Sequence, residues 1–594
     1  MTTHNIKIRV PALARVEGEG ALVVDVHEGE ITHLQLRIYE PPRYFEKFLE
    51  GREYTDIPEI VARICGICPV AYQMSAVQAI ESIFDVQVSQ WVEDMRRVMY
   101  CGEWIQSHSL HIHMLAAPDF LGFNSITEMA KKYPAEVQRG LRLQSIGNKL
   151  IALFGGRSVH PVGVRAGGFH HAPNVDEVTK LLKEIDSAVD EAADLLRWTG
   201  SLSLPDIEQS TVYVALRNET QYAINDGRIM SNTDVDLAAS EYTNRFSECH
   251  VPHSTALHAT LDGKPYLVGP LARMNLNFSE LPENVQTILA EIGIRFPCHN
   301  MFYSIIARAA ELMAALLEAQ RLLGDYKPET PYVDVSPKAG VGYGCTEAPR
   351  GILWHRYELD DNGRIVEARI VPPTSQNQAR IEEDLRYSLT EFGLDKDEQD
   401  LRLHGEKVIR NYDPCISCAT HFLKLELNRQ GYSEQAINAL SERLTAGDTI
   451  TILGVGSPVH GDTLGQEVIA LLKKQGVFDN NTNVRLKSLE RPGMNVVEEI
   501  RQAKCLLIID AMQGDTTHDG VVIVRGNELV GEASVSGSHE LGVADAISLA
   551  DSLGLDTENV LIIGMLKGDK AAWSNSDVEH VVNRLEALVA KIQS

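Results

Sequence analysis

Two short stretches decide how this chain is read: Arg63-Ile64-Cys65-Gly66-Ile67-Cys68-Pro69 and Asp413-Pro414-Cys415-Ile416-Ser417-Cys418-Ala419-Thr420-His421. Each places two thiols three residues apart, close enough to share one metal, and together they offer four sulfur ligands. A structural zinc site of four cysteines is one reading. Zinc modules close their loops over short stretches of chain, whereas this loop would run from residue 68 to residue 415 and join opposite ends of a large domain. That favours a deeply buried cofactor. Thiolates suit nickel, iron, copper(I) and zinc alike, so spacing alone leaves the metal open.

Working outward, the 594 residues imply more than one core, and 44% apolar with 23% charged residues is the balance of a folded protein. The net charge of −27, from 55 Lys and Arg against 82 Asp and Glu, disfavours sequence-independent nucleic-acid binding, since a phosphate backbone would be repelled. No uninterrupted apolar run approaches the roughly 18 residues of a membrane helix. The start, Met1-Thr2-Thr3-His4-Asn5, has neither the basic nor the apolar segment of a signal peptide, so a cytoplasmic protein is expected. In such a reducing compartment nine cysteines, four of them in the two pairs, point to metal or redox chemistry rather than a disulfide framework. Cys101, Cys249, Cys298, Cys345 and Cys505 read as thiols filling core space.

Residues 6–39 alternate apolar and polar positions around His27-Glu28-Gly29-Glu30 and read as a hairpin. From about 43 to 325 the pattern reads as helical. Asn174 is a plausible N-cap for a helix carrying Val178, Leu181, Leu182, Ile185, Val189, Ala192 and Leu196, and a second helix is expected over about 298–323. A strand pair follows over 351–371, turning at Asp360-Asp361-Asn362-Gly363. The stretch 422–448 is polar and helix-prone. Beyond it, apolar runs at 449–454, 505–509 and 560–563 alternate with helical segments near 464–475, 494–503, 541–553 and 577–592, the signature of a separate three-layer α/β domain. Gly340-x-Gly342-x-Gly344 and Gly454-x-Gly456 do not complete a dinucleotide fingerprint. His108, His111 and His113 resemble a metal cluster, but only the first two share a helical face, which favours core histidines.

In spacing and in flanks the two cysteine motifs resemble the signature motifs of nickel-iron hydrogenase large subunits. Arg15-Val16-Glu17-Gly18, Glu40-Pro41-Pro42-Arg43-Tyr44-Phe45-Glu46, His160-Pro161 with Gly167-Gly168, and Ala348-Pro349-Arg350-Gly351 followed by His355 are similar to that family in the expected order. The resemblance implies a mainly α hydrogenase large-subunit fold with peripheral β-hairpins over 1–421, and a role for each matching residue. Cys65 and Cys415 would be terminal ligands of nickel, while Cys68 and Cys418 would bridge nickel to an iron carrying carbon monoxide and cyanide. Heterolytic hydrogen cleavage needs a Lewis acid and a nearby base. Arg350 would overhang the open metal position, held by Asp413, and Glu17 would be the first carboxylate of the proton path, taking the proton from a sulfur such as that of Cys415. Glu46 and His421 would bind a structural magnesium or iron(II) ion. Tyr72 and Ser107 depart from the better-known uptake members, where His and Asp stand. Gln106-Ser107-His108-Ser109-Leu110-His111 and Pro118-Asp119-Phe120-Leu121-Gly122 instead resemble the cytoplasmic bidirectional, NAD(P)-linked group that includes the sulfhydrogenase alpha subunits. The implied partners are an iron-sulfur small subunit, diaphorase subunits binding NAD(P) and FAD, and maturation chaperones, because no further cysteine group here has iron-sulfur spacing.

Such subunits lose a short tail after the motif-closing His once nickel is in place, whereas this chain runs on from 422 to 594. From 449 it resembles the hydrogenase maturation endopeptidase that makes this cut, through Leu453-Gly454-Val455-Gly456-Ser457-Pro458-Val459-His460-Gly461-Asp462-Thr463-Leu464-Gly465, Ile509-Asp510-Ala511 and Ser538-His539-Glu540-Leu541-Gly542. The resemblance implies Ni2+ held during maturation by Asp510, His539 and a first ligand that is Asp462 or Thr463, of which Asp462 is the better donor. Residues 422–448 would be the propeptide or linker, and cleavage would follow His421. Rival expectations are a hydrogen-sensing regulatory relative and a non-catalytic scaffold with a four-cysteine metal site. Retention of all four cysteines argues against the scaffold.

Overall fold

The computed structural model describes residues 6–420, 448–455, 463–479, 481–489, 493–512, 521–525, 543–552, 555–566 and 574–593. The chain divides into two compact units, Met1–Leu423 and Lys424–Ser594.

The first unit opens with three antiparallel strands, β1 (Ile6–Val10), β2 (Gly20–His27) and β3 (Glu30–Ile38), so the expected hairpin is β2–β3 and β1 adds to it along β2. Helix α1 (Pro69–Phe84) begins on a proline, whose fixed φ and missing N–H suit the first helical position, and stops at Asp85 in the left-handed region. Helices α2 (Gln90–Leu110), α3 (Pro134–Gly155) and α4 (Val175–Gly200) follow. The side chain of Asn174 accepts from the Asp176 N–H, with Asp176 and Glu177 in the first turn and Arg197 in the last, an arrangement favoured by the helix dipole. Its stripe of Val178, Leu181, Ile185, Ala188, Ala192, Leu195 and Leu196 is buried.

The helical reading of 43–325 is corrected between α4 and the next long helix. Two short strands, Val214–Arg217 and Arg228–Ser231, are followed by the antiparallel pair β4 (Phe246–Val251) and β5 (Ser254–Leu261). Strand β5 is buried along nearly its whole length, so it shows no alternation to betray it. Helix α5 (Ser304–Gly324) starts later than expected, because Asn300 accepts from the Phe302 N–H and holds Met301–Tyr303 in a 3₁₀ turn. Strands β6 (Gly340–Ala348), β7 (Gly351–Leu359) and β8 (Ile365–Val371) form an antiparallel sheet. The glycines of β6 let α1 lie on it: a Cβ at Gly342 would stand 2.1 Å from the Ala79 carbonyl oxygen, and one at Gly344 2.0 Å from that of Ser75. Helices α6 (Pro373–Phe392) and α7 (Glu398–Asn411) lead to the second cysteine pair.

The second unit is a five-stranded sheet of β9 (Ile450–Val455), β10 (Val484–Leu489), β11 (Cys505–Met512), β12 (Val521–Arg525) and β13 (Val560–Leu566), ordered β10-β9-β11-β13-β12, parallel except for β12. Helices α8 (Leu464–Gln475) and α11 (Asn575–Gln593) share one apolar cluster with Ile450, Ile452, Leu507 and Ile509; α9 (Gly493–Gln502) and α10 (Val543–Ser552) share another with Leu453, Val455, Leu506 and Ile508. Alternate residues of the central strands thus face opposite helix pairs, which makes three layers. The two strands that the apolar runs did not reveal, β10 and β12, are the sheet's edges. His421, Asp462, His539 and almost all of the 422–448 segment lie outside the described residues.

Candidate metal centre

The four paired cysteines come together from opposite ends of the first unit. Their ligand atoms all lie within 4.8 Å of one another, and all four side chains are buried. The Cys65 and Cys415 sulfurs are 3.5 Å apart, those of Cys415 and Cys418 2.6 Å. Cys68 is the N-cap of α1, and its N–H and that of Ile67 donate to the Cys65 sulfur at 3.2 and 3.3 Å. On the other side the Cys415 N–H donates to Thr374 Oγ1, in the first turn of α6, at 3.1 Å.

Glu17 is placed by backbone pairing with this second loop. It bridges to Cys415, its carbonyl accepts from the Ile416 N–H at 3.0 Å, and its carboxylate accepts from the Ser417 N–H at 3.1 Å and from the Ser417 hydroxyl. Gly18 makes the approach possible. It has φ +88°, and a Cβ there would meet Glu40 Oε2 at 2.4 Å and Ile416 Cβ at 2.7 Å.

Arg350 is buried, with Nε donating to the Asp413 carbonyl at 2.6 Å and Nη2 to Asp413 Oδ1 at 3.0 Å. Its Nη1 has no hydrogen-bond partner among the described residues. Burial opposes its charge, but Asp413 and the sulfurs of Cys415, Cys68 and Cys65 outweigh that and hold the guanidinium well above its ordinary range. Among the thiols, burial pushes Cys65 up, yet hydrogen bonds with Cys415, Cys418 and Cys68, aided by Arg350, bring it well below the usual value. The other three are pushed well above it. Four crowded sulfurs cannot all ionise against one another, so full deprotonation needs a cation among them, and soft thiolates fit nickel and iron.

Several residues that shape this site were not evident from the sequence. Arg43 ties the two cysteine loops together, its Nη2 donating to the Ile64 carbonyl at 2.7 Å and to that of Ser417. Glu103 caps α1, accepting from Val70 N–H at 2.6 Å and Ala71 N–H at 3.1 Å, although burial pushes its carboxyl well above the usual range. Arg273 pairs with Glu311 and Glu347 and donates to the Ala348 and Pro349 carbonyls, which fixes the turn carrying Arg350. Arg43 lies in the Glu40–Glu46 motif but nothing there signals its partners, and no motif marks Glu103 or Arg273, because each acts on a group distant in sequence.

A family model described as nickel-dependent hydrogenase matches residues 43–141 and 241–421. The sulfhydrogenase 2 alpha chain of Pyrococcus furiosus is 31% identical over 421 residues, covering 70% of this chain and all of that protein. The chain belongs to the nickel-dependent hydrogenase family. A vhu-type F420-non-reducing hydrogenase chain of Methanocaldococcus jannaschii is 32% identical over 412 residues, which is 64% of this chain and 98% of that one. Among solved structures, an NAD+-reducing NiFe-hydrogenase in the H2-reduced state matches with a TM-score of 0.64 at 26% identity, covering 70% of this chain and 99% of that one.

As a hydrogenase large subunit, the first unit binds its nickel-iron centre through cysteines. Glu46 is buried and accepts from the Ile370 N–H at 2.6 Å, and the Arg43 N–H donates to the Thr420 carbonyl at 2.7 Å, which brings the residue before His421 close to the Glu46 turn. His108, His111 and His113 do not converge. His108 Nε2 is 3.0 Å from Glu311, His111 Nε2 bonds the Arg410 carbonyl at 2.8 Å and His113 Nδ1 that of Ser109 at 2.9 Å. Burial lowers them to about 4, 3 and 4, so all three are neutral core histidines at neutral pH. Tyr72 is buried beside the sulfurs, its hydroxyl without a hydrogen-bond partner among the described residues. No helix among the described residues is long and apolar enough to cross a membrane. In the second unit Asp510 stands, half-buried, toward the carboxyl end of central strand β11, and the Thr463 hydroxyl donates to Glu467 Oε1 at 2.5 Å.

Proposed function

We propose that this hydrogenase cleaves dihydrogen heterolytically and reversibly at a nickel-iron pair that the four cysteines would hold, Cys65 and Cys415 as ligands of nickel and Cys68 and Cys418 as ligands that nickel would share with an iron carrying carbon monoxide and cyanide. The observation that carries the reading is the convergence of four buried thiols beside the fixed charge of Arg350. When bound, the metal pair supplies the Lewis acidity that polarises dihydrogen and accepts its electrons. The chain's own residues do the rest. Asp413 holds Arg350 in place, and the guanidinium offsets the negative charge of the sulfurs in a site shielded from water. The Cys415 sulfur holds the released proton and Glu17 takes it onward, its carboxylate steadied by the Ser417 N–H and hydroxyl. Glu46 and His421 hold a magnesium or iron(II) ion that secures the end of the processed chain.

The electrons pass to an iron-sulfur small subunit, then through diaphorase subunits to NAD(P) in the cytoplasm. The likeness to an NAD+-reducing enzyme supports this acceptor, and the sulfhydrogenase relatives support sulfur reduction as a side activity. The second unit acts as the maturation peptidase of its own chain, cutting after His421 with Ni2+ held by Asp462, Asp510 and His539. Its mainly parallel sheet supports the reading, because ligands of such sheets bind at the carboxyl ends of the strands, where Asp510 stands. The engagement of Thr463 with Glu467 favours Asp462 as the first ligand. Infrared bands of metal-bound carbon monoxide and cyanide, with loss of H2 turnover in Cys415→Ser, test the first reading; protein without those bands yet loaded with zinc on four sulfurs refutes it. For the second, Asp510→Ala should leave the chain uncut by mass spectrometry, and normal processing refutes it.

A further inference from the structure

A second group of metal-capable side chains lies outside the cysteine centre. The ligand atoms of His253, His258 and Glu382 all lie within 4.8 Å of one another. His253 sits in the turn between β4 and β5, His258 on β5 and Glu382 on α6. His253 lies in the turn, outside the strand, and the β4–β5 register shifts between Ser254 and His258, so regular strand alternation does not set how the two imidazoles face one another. His253 Nε2 is 2.7 Å from Glu382 Oε1, and the two histidine rings stand edge to face with centroids 5.8 Å apart.

Two further observations point to a ligand. His258 is 4% exposed, and its Nε2 has no hydrogen-bond partner among the described residues, an expensive arrangement for a polar atom in a sheet. Glu382 Oε1 also accepts from the Leu36 N–H of β3 at 2.8 Å, the kind of outer bond that orients a metal-binding carboxylate. The side chains of His253 and Glu382 retain 16% and 20% exposure, which leaves an entry from solvent.

We infer that His253, His258 and Glu382 form a binding site for a borderline divalent cation, zinc foremost, with a water completing the tetrahedron. Two imidazoles and one carboxylate are a zinc donor set, and ligand atoms around tetrahedral zinc lie roughly 3.4 Å apart at bonds of about 2.1 Å. One pair is already inside that spacing, and rotation of side chains closes the remainder. The ion clips the β4–β5 turn to α6, whose first turn carries Thr374 against Cys415. The site is independent of which metals the cysteines hold.

The test uses the full chain purified with its nickel and iron, washed with chelator and titrated with zinc chloride alone. Expected is one tightly bound zinc per chain whose X-ray absorption shows nitrogen and oxygen neighbours and no sulfur, together with a raised Tm. His253→Gln and Glu382→Gln, both at the exposed side, should weaken zinc binding at least about a hundredfold while retaining nickel, iron and H2 turnover with an artificial electron donor. Sulfur neighbours around the zinc, no retained zinc, or wild-type zinc affinity in both variants would each overturn the assignment.

Discussion

Arg43 offers the sharpest test of how the cysteine centre is built, because one guanidinium holds both loops that carry the thiols. Replacing it in Arg43→Met keeps the stem and removes the donors to the Ile64 and Ser417 carbonyls. Hydrogen bonds involving a charged group contribute about 1.5–3 kcal/mol each, so about 3–6 kcal/mol is lost. Part returns, because Arg43 Nε is itself buried without a hydrogen-bond partner among the described residues and its removal relieves about 1–3 kcal/mol. The weak stacking of Arg43 on Phe45, at 5.4 Å, hardly alters the balance. A net loss of about 2–4 kcal/mol falls on the geometry that brings the two loops together, which lowers the population of metal-competent sites by one to three orders of magnitude. Nickel and iron per chain, measured by mass spectrometry of the digested protein, should fall together with H2 turnover. Arg43→Lys, which keeps a charge but not the fork, should be intermediate. Full nickel and iron in Arg43→Met with an unchanged Tm would refute the reasoning.

Gly18→Ala should cost about 1–3 kcal/mol for the forced contacts and about 1–2 kcal/mol for its positive φ; because the strain falls beside Glu17, H2 turnover should drop further than nickel content, and equal losses would contradict a role in proton transfer. His404, bonded to Ser388 at 2.7 Å, is lowered by burial to about 4, whereas an unfolded His titrates near 6.5. The unfolded chain therefore binds the extra proton between those values, and stability complete above pH 6.5 is lost as pH falls toward 4, by up to about 3 kcal/mol from this residue. His404→Gln should flatten the fall of Tm over that window, and an unchanged slope would show that His404 does not contribute. Tyr72→Phe removes a buried hydroxyl beside the sulfurs and should shift the infrared bands of the iron ligands with little loss of Tm; unshifted bands would place that hydroxyl outside their hydrogen-bonding sphere.

The elements legible in the sequence were those whose signal is local. The stripe of α4 with its Asn174 cap, the β7–β8 turn at Asp360–Gly363 and the central strands β9, β11 and β13 each carry their own periodicity or turn chemistry. What escaped depends on neighbours. Strand β5, Ser254-Thr255-Ala256-Leu257-His258-Ala259-Thr260-Leu261, is buried on both faces and so mixes polar and apolar residues without alternation, while β10 and β12 are edges with a partner on one side only. The Gly340–Gly344 spacing completes no dinucleotide fingerprint, but what it is for, the close approach of α1, depends on a neighbour that the sequence does not reveal.

The same division runs through the metal centre. Cys-x-x-Cys is readable because both thiols come from one turn, and pairing two such turns is a guess that the fold then makes concrete. What makes the pairing rigid is not readable in the same way: Arg43 lies in a quoted motif and Glu103 and Arg273 in none, but all three act on backbone groups elsewhere in the chain. Their common feature is an ionisable side chain spent on carbonyl or N–H groups of the segments that bear Cys65, Cys68, Cys415 and Arg350. An unpaired buried charge or polar group is costly, so each such residue also fixes its own environment: the Arg273 charge needs Glu311 and Glu347, and the Glu103 carboxyl needs the first turn of α1. Rigidity at the sulfurs is therefore distributed over several polar residues, of which Arg43 and Glu103 both hold the segment that bears Cys65 and Cys68. Substitutions of these residues should fail together in metal loading, and double variants such as Arg43→Met with Glu103→Gln should lose less than the sum of the single losses.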